Sequence, residues 1–153
     1  MRIEDVLLKI VCLVVEDSEE HRNNLVANLK GVGAKEVLSA ASGSEALNLL
    51  NLLGRPVDLI LSDIRMPGGN GLQLLKALRI GDIKGMRLNS TFVLTTAFPQ
   101  VGLIQTAASL DANGFIVKPV DPMKFEAAIL KARRIVFPPN PGRHVEVYVP
   151  STI

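Results

Sequence analysis

Five short runs of β-branched and other apolar residues recur along the chain, at Ile10–Val15, Glu36–Ala40, Val57–Leu61, Thr91–Thr95 and Gly114–Val117. Segments with helical spacing lie between them: Leu25, Leu29 and Val32; Ala46, Leu49, Leu50 and Leu53; Leu72, Leu75 and Leu78; and, after the last run, Phe125, Ile129 and Ala132. A chain that alternates strand and helix in this way is expected to form a parallel sheet with helices on both faces, an α/β fold. The near-continuous apolarity of the first and third runs fits strands covered on both sides. Local signals agree. Ser18 and Ser42 stand where N-caps are needed, Glu45 would complete a capping box with Ser42, Gly31 and Gly33 close the first helix, and Asp121-Pro122 opens the last. The fourth helix, expected over Gln100–Ala112, has almost no charge on its outer face.

At 153 residues the chain is read as one domain. The longest apolar run, Ile10–Val15, is far shorter than the roughly 18–20 residues a membrane span needs. The N-terminus carries acids where a secretory signal has basic residues, so a cytoplasmic location is expected. The single cysteine, Cys12, lies in an apolar run and is expected to be an inert buried thiol. A net charge of +2 does not point to nucleic acid. From Pro138 the composition changes: "PPNPGRHVEVYVPSTI" opens as a stiff extended linker and continues with alternating Val145, Val147 and Val149, which predicts a strand-like end lying on a sheet edge or the surface. His21 is expected in solvent on the first helix, and His144 falls in this tail.

In open parallel sheets, ligands sit beyond the carboxyl ends of the strands. Glu16 and Asp17 follow the first run, Asp63 the third, Thr96 and Ala97 end the fourth, and Lys118 and Pro119 follow the fifth. Three carboxylates about 5 Å apart would repel by roughly 3 kcal/mol per pair at an effective dielectric of 20. A hard divalent cation, Mg²⁺ first and Mn²⁺ as the alternative, suits such oxygen donors, with Lys118 as a fixed cation opposite. A carboxylate placed between metal and lysine can attack phosphorus. Taken singly, each residue has a plainer explanation: Glu16 and Asp17 as helix caps, Thr96 as a strand-end hydroxyl, Lys118 as a surface lysine. Their convergence on one rim carries the reading.

The motifs "VVEDS", "LILSDIRMPGGNGLQLL", "VLTTA" and "GFIVKP" occur in that order, and with them the chain resembles the receiver domain of two-component response regulators, the CheY-like superfamily. The likeness covers residues 9–136, leaving 137–153 as a Pro-rich tail. It implies a flavodoxin-like, doubly wound five-stranded sheet in the order 2-1-3-4-5. It also implies phosphorylation of Asp63 by a histidine kinase or phosphotransfer protein, with Mg²⁺ held by Glu16, Asp17, Asp63 and the backbone carbonyl of Arg65. Lys118 would contact the phosphoryl group, Thr96 would move to it, Phe115 would turn inward as the aromatic switch, and Lys118-Pro119 would be cis. Such a domain is a signalling phosphoacceptor that catalyses only its own phosphorylation and dephosphorylation.

Output by contact is expected, because no DNA-binding or catalytic module follows within the sequence. The surface expected to be read is that of the fourth helix, fifth strand and fifth helix, by a downstream protein partner or a second copy in a homodimer, with no direct nucleic-acid or membrane partner. Two departures from the family pattern stand out. Asn70 precedes Gly71 where the family often has Asp, and Arg65 and Phe98 flank the phosphoryl site, where they are expected to prolong the phosphorylated state. Rival readings are a haloacid-dehalogenase-like phosphatase, which needs an acid where Arg65 stands; a flavin-binding protein, whose phosphate "EDSEEH" would repel; and a receiver that only binds partners.

Overall fold

The computed structural model describes residues 10–153; the start of the expected receiver at Lys9, and the N-terminal acids, lie outside the described residues. Five parallel strands, β1 (Val11–Val15), β2 (Glu36–Ala40), β3 (Leu59–Asp63), β4 (Thr91–Thr96) and β5 (Gly114–Val117), form one sheet in the order β2-β1-β3-β4-β5. The helices are α1 (Glu19–Gly31), α2 (Gly43–Leu53), α3 (Gly71–Ile80), α4 (Val101–Ser109), α5 (Pro122–Arg134) and a single turn, α6 (Pro141–His144). This is the flavodoxin-like, doubly wound arrangement expected from the sequence. Among the described residues, no helix is long and apolar enough to cross a membrane.

The period of two along β1 divides the core. Val11, Leu13 and Val15 face Ala46, Leu50, Leu72, Leu75, Leu103 and Ala107 of α2, α3 and α4. Cys12 and Val14 face Leu25 and Leu29 of α1 and Phe125, Ile129 and Ala132 of α5. A strand buried on both faces needs no polar positions, which is why this run reads as uniformly apolar. Cys12 is fully buried, and burial pushes its thiol up to about 12, so it is the inert core residue expected.

Two elements, β3 and α4, differ from the sequence reading by two or more residues at an end, and the capping box lies elsewhere. β3 begins and ends two residues later than the apolar run, because Asp63 keeps its backbone in register with Thr95 of β4 while its side chain turns to the rim. α4 stops at Ser109, and Asp111 then takes a left-handed conformation with φ 55°. Ser42 Oγ accepts from the Glu45 amide as expected, but the reciprocal capping box, with both bonds formed, lies at Asn70 and Gln73.

The tail is a correction in its secondary structure. Val145, Val147 and Val149 form no strand; Asn140 caps a turn with Pro141 at its start, and the chain then lies over α3 instead of pairing with either edge strand. The valine alternation survives as a packing pattern, with Val145 half-exposed and Val147 and Val149 set against the core.

At the amino ends of β4 and β5, opposite the rim, Arg79 is buried at 1% exposure, with its guanidinium linking α3, the segment before β4 and the turn before β5. It donates to the carbonyls of Leu110, Leu88, Ser90 and Asp111 and to Asn113 Oδ1. Burial pulls its pKa down to about 10, opposed by the charge of Asp111, so it stays protonated near neutral pH.

Candidate functional site

Each member of the acidic rim is placed by backbone geometry. Glu16 follows β1, where its amide donates to Ala40 O at 3.0 Å and its carbonyl accepts from Arg22 Nη1 at 2.9 Å. Asp63 is the last residue of β3, and its Oδ1 accepts from the Ile64 amide at 2.8 Å. Close behind, the Asn70 cap starts α3 with Gly71, whose amide donates to Ile64 O; a Cβ at Gly71 would lie 2.2 Å from Asp63 O, so only glycine lets the helix approach this closely. The Lys118 amide donates to Thr96 O at 2.8 Å, and the Lys118-Pro119 bond is cis, as the resemblance implied.

These placements bring the predicted residues together. Lys118 Nζ lies 2.9 Å from Glu16 Oε2 and 3.1 Å from Asp63 Oδ2. One carboxylate oxygen each from Glu16, Asp17 and Asp63 falls within 4.8 Å of the others. Glu16 and Asp63 are buried, while Asp17 faces solvent and leaves the cluster open on that side. Burial and the neighbouring charge of Glu16 push Asp63 up to about 6, against the pull of Lys118. Burial would lower Lys118, but its hydrogen bond to Glu16 and the charges of Asp63 and Glu16 outweigh it, and its pKa is raised. Three acids against one lysine leave an excess of negative charge, and the donors are all hard oxygens. That set fits a divalent cation of the Mg²⁺ kind.

The remaining predicted residues surround this centre. Thr96 is buried, and its Oγ1 accepts from the Phe98 amide at 3.2 Å. Ala97 is exposed and, with Lys118 and Pro119, lines a cavity of about 460 Å³ that extends to His21 and Asn24 of α1. Arg65 lies over the exposed Phe98 ring, Cζ 6.0 Å from its centroid, and its buried Nε has no hydrogen-bond partner. Phe115 is partly buried against the α2–α4 face of the core. His21 is more than half exposed, as expected, yet its Nδ1 reaches to 3.7 Å from Glu16.

The sequence reading missed three groups. Arg22 props the Glu16 carbonyl, Asn70 reaches the tail, and His144 is buried against Asp111 at 2.8 Å. Only Arg22 had a local signal, its place one helical turn beyond Glu16. The partners of Asn70 and His144 are far away in sequence, and no spacing announces them.

The fold and rim together define a doubly wound α/β domain with an acidic, lysine-bridged site at the carboxyl ends of its strands. Residues 12–130 match the response regulator receiver domain family, and the chain belongs to it. It is 32% identical over 121 residues to the "Probable chemotaxis protein CheY" of Rhizobium etli, covering 79% of this chain and 90% of that protein. It is equally, 32%, identical over 124 residues to the transcriptional regulatory protein ZraR of Salmonella typhimurium, but spans only 26% of that protein. Among solved structures, the chemotaxis protein CheY4 of Vibrio cholerae superposes with a TM-score of 0.71 at 27% identity, covering 81% of this chain and 98% of that one. The domain is therefore a CheY-like receiver, a signalling module of two-component systems.

Proposed function

We propose that Asp63 accepts a phosphoryl group from a histidine kinase or phosphotransfer protein. A carboxylate oxygen of Asp63 attacks phosphorus; the P–N bond of the donor phosphohistidine breaks with its electron pair left on the imidazole, and a P–O bond to Asp63 forms. Lys118, in contact with both carboxylates, is placed to follow the charge onto the phosphoryl oxygens. Glu16, Asp17, Asp63 and the Arg65 carbonyl would hold Mg²⁺ or Mn²⁺, which supplies neutralisation of the phosphoryl oxygens. The single observation carrying this reading is the 4.8 Å grouping of Glu16, Asp17 and Asp63 with Lys118 bonded across it. The domain catalyses nothing beyond its own phosphorylation and dephosphorylation, it acts in the cytoplasm, and the receiver that carries the chemistry is assigned to residues 9–136.

Output follows from Thr96. In the unphosphorylated state its hydroxyl is engaged by the Phe98 amide; turning to a phosphoryl group on Asp63 releases that bond, shifts the segment leading into α4, and opens room for Phe115 to move inward. The α4-β5-α5 face that changes exposes Val101, Ile104 and Val117, an apolar surface suited to a downstream protein or a second copy of the chain. A partner reads the switch only by its different affinity for the two states. Phe98 stacked under Arg65 screens the line of an attacking water, so the phosphorylated form is long-lived.

The test is incubation with acetyl phosphate, with and without Mg²⁺, followed by intact mass. A Mg²⁺-dependent gain of one phosphoryl group, absent in Asp63→Asn, is expected; a gain that persists in that variant would move the acceptor elsewhere. Phe98→Ala should shorten the phosphoryl lifetime several-fold, and an unchanged decay would remove the screening role.

A further inference from the structure

We propose that residues 145–153 form a strap whose seating is coupled to the β3–α3 loop, so that strap and loop order and loosen together. Beyond α5 the chain is held firmly at α6. Arg143 pairs with Asp111 at 2.6 Å and donates to Ser109 O, while His144, 1% exposed, contacts the same carboxylate. From this pivot the strap runs along α3 toward the rim. Lys76 Nζ donates to Val147 O at 2.7 Å, Asn70 Nδ2 donates to Pro150 O at 3.0 Å, and Val147, Val149 and Ile153 pack on the core. Ser151, Thr152 and Ile153 then share a cavity of about 380 Å³ with the loop residues Arg65 to Asn70.

Asn70 is the mechanical link. Its Oδ1 accepts from the Gln73 amide, its own amide donates to Gln73 Oε1, and its Nδ2 is spent on the strap. The next residue, Gly71, is packed directly on Asp63 O. Asp at position 70, common in the family, would keep the helix cap and lose the donor to Pro150, so the departure noted in the sequence serves the strap. The two ends differ in strength. At the pivot the buried His144 and the half-exposed Arg143 converge on one carboxylate, that of Asp111, whereas the rim end hangs on hydrogen bonds to backbone carbonyls, with cavities of about 380 and 390 Å³ lined in part by Ser151. The rim end therefore releases first, and its release loosens the loop that carries Arg65.

The test is hydrogen exchange by mass spectrometry on the full chain, with the emission anisotropy of Tyr148, the single tyrosine in a chain without tryptophan, as a second reporter of the strap. Lys76→Met removes a strap contact without touching the loop or the α3 cap; Asn70→Asp removes the link itself. In both variants exchange at residues 147–153 should rise roughly five- to tenfold, the weight of one hydrogen bond, with Tyr148 anisotropy falling and exchange at residues 64–71 rising alongside. Faster exchange in the strap with an unchanged loop would overturn the coupling, as would no change in either segment in both variants. A separate arm rests on the receiver reading: Mg²⁺ added to the unaltered chain should slow exchange in both segments. Absence of any Mg²⁺ protection, with the mutational coupling intact, would refute the metal site and leave the strap standing.

Discussion

Replacing Asp63 by Asn should stabilise the metal-free protein, and the size and pH dependence of the gain follow from the site. Asp63 is 7% exposed and rises from its ordinary 3.8 to about 6 because burial and Glu16 disfavour its charge more than Lys118 favours it. The folded state therefore keeps a proton that the unfolded chain has released between pH 3.8 and about 6, and stability falls as pH rises through that window. At about 1.4 kcal/mol per pH unit the cost of the charge above pH 6 is roughly 3 kcal/mol, and about 1–3 kcal/mol once sharing with Glu16 and Lys118 is allowed for. Asn resembles the protonated carboxyl and can still accept the Ile64 amide. Urea denaturation in EDTA should show near-equal stability at pH 4 and the Asn variant ahead by about 1–3 kcal/mol at pH 7.5. Excess Mg²⁺ should then raise the stability of the unaltered chain only. A variant that is less stable at pH 7.5, or a difference independent of pH, would refute the electrostatic account of the rim.

Arg79→Met should cost at least about 4 kcal/mol, because the carbonyls it serves and Asn113 lose their donor together; a fall in Tm of only a degree or two would show that those groups find other partners. Gly71→Ala places a Cβ 2.2 Å from Asp63 O, so α3 must shift; thermal melting should show a loss of about 2 kcal/mol or more, and acetyl phosphate labelling of Asp63 should slow with it. Cys12, buried with its thiol near 12, should resist iodoacetamide at pH 8 in the folded protein and react on unfolding.

Much of the molecule was legible in the sequence because its signals are local. Hydrophobic period, caps and the Asp121-Pro122 start depend on neighbours a turn away, and they located every strand and the helices α1 to α5 to within a few residues. The strand-end residues were legible for a topological reason: in a parallel sheet every strand points the same way, so the residues after each run must gather on one rim. Where local pattern misled, a partner remote in sequence decided. The alternating valines of the tail would suit a strand, but α3 offers them a core surface and two side-chain donors, Lys76 and Asn70, and no strand edge.

By itself, then, the sequence determined the alternation of strands and helices, the acidic rim with its lysine, and the family. These are written in residue type and spacing, which the chain carries whether folded or not. Tertiary structure alone decided the seating of the strap, the burial of Arg79 and His144, and the rise of Asp63 to about 6. Each of those depends on water being excluded by groups tens of residues away, and exclusion of water exists only once the chain has closed upon itself.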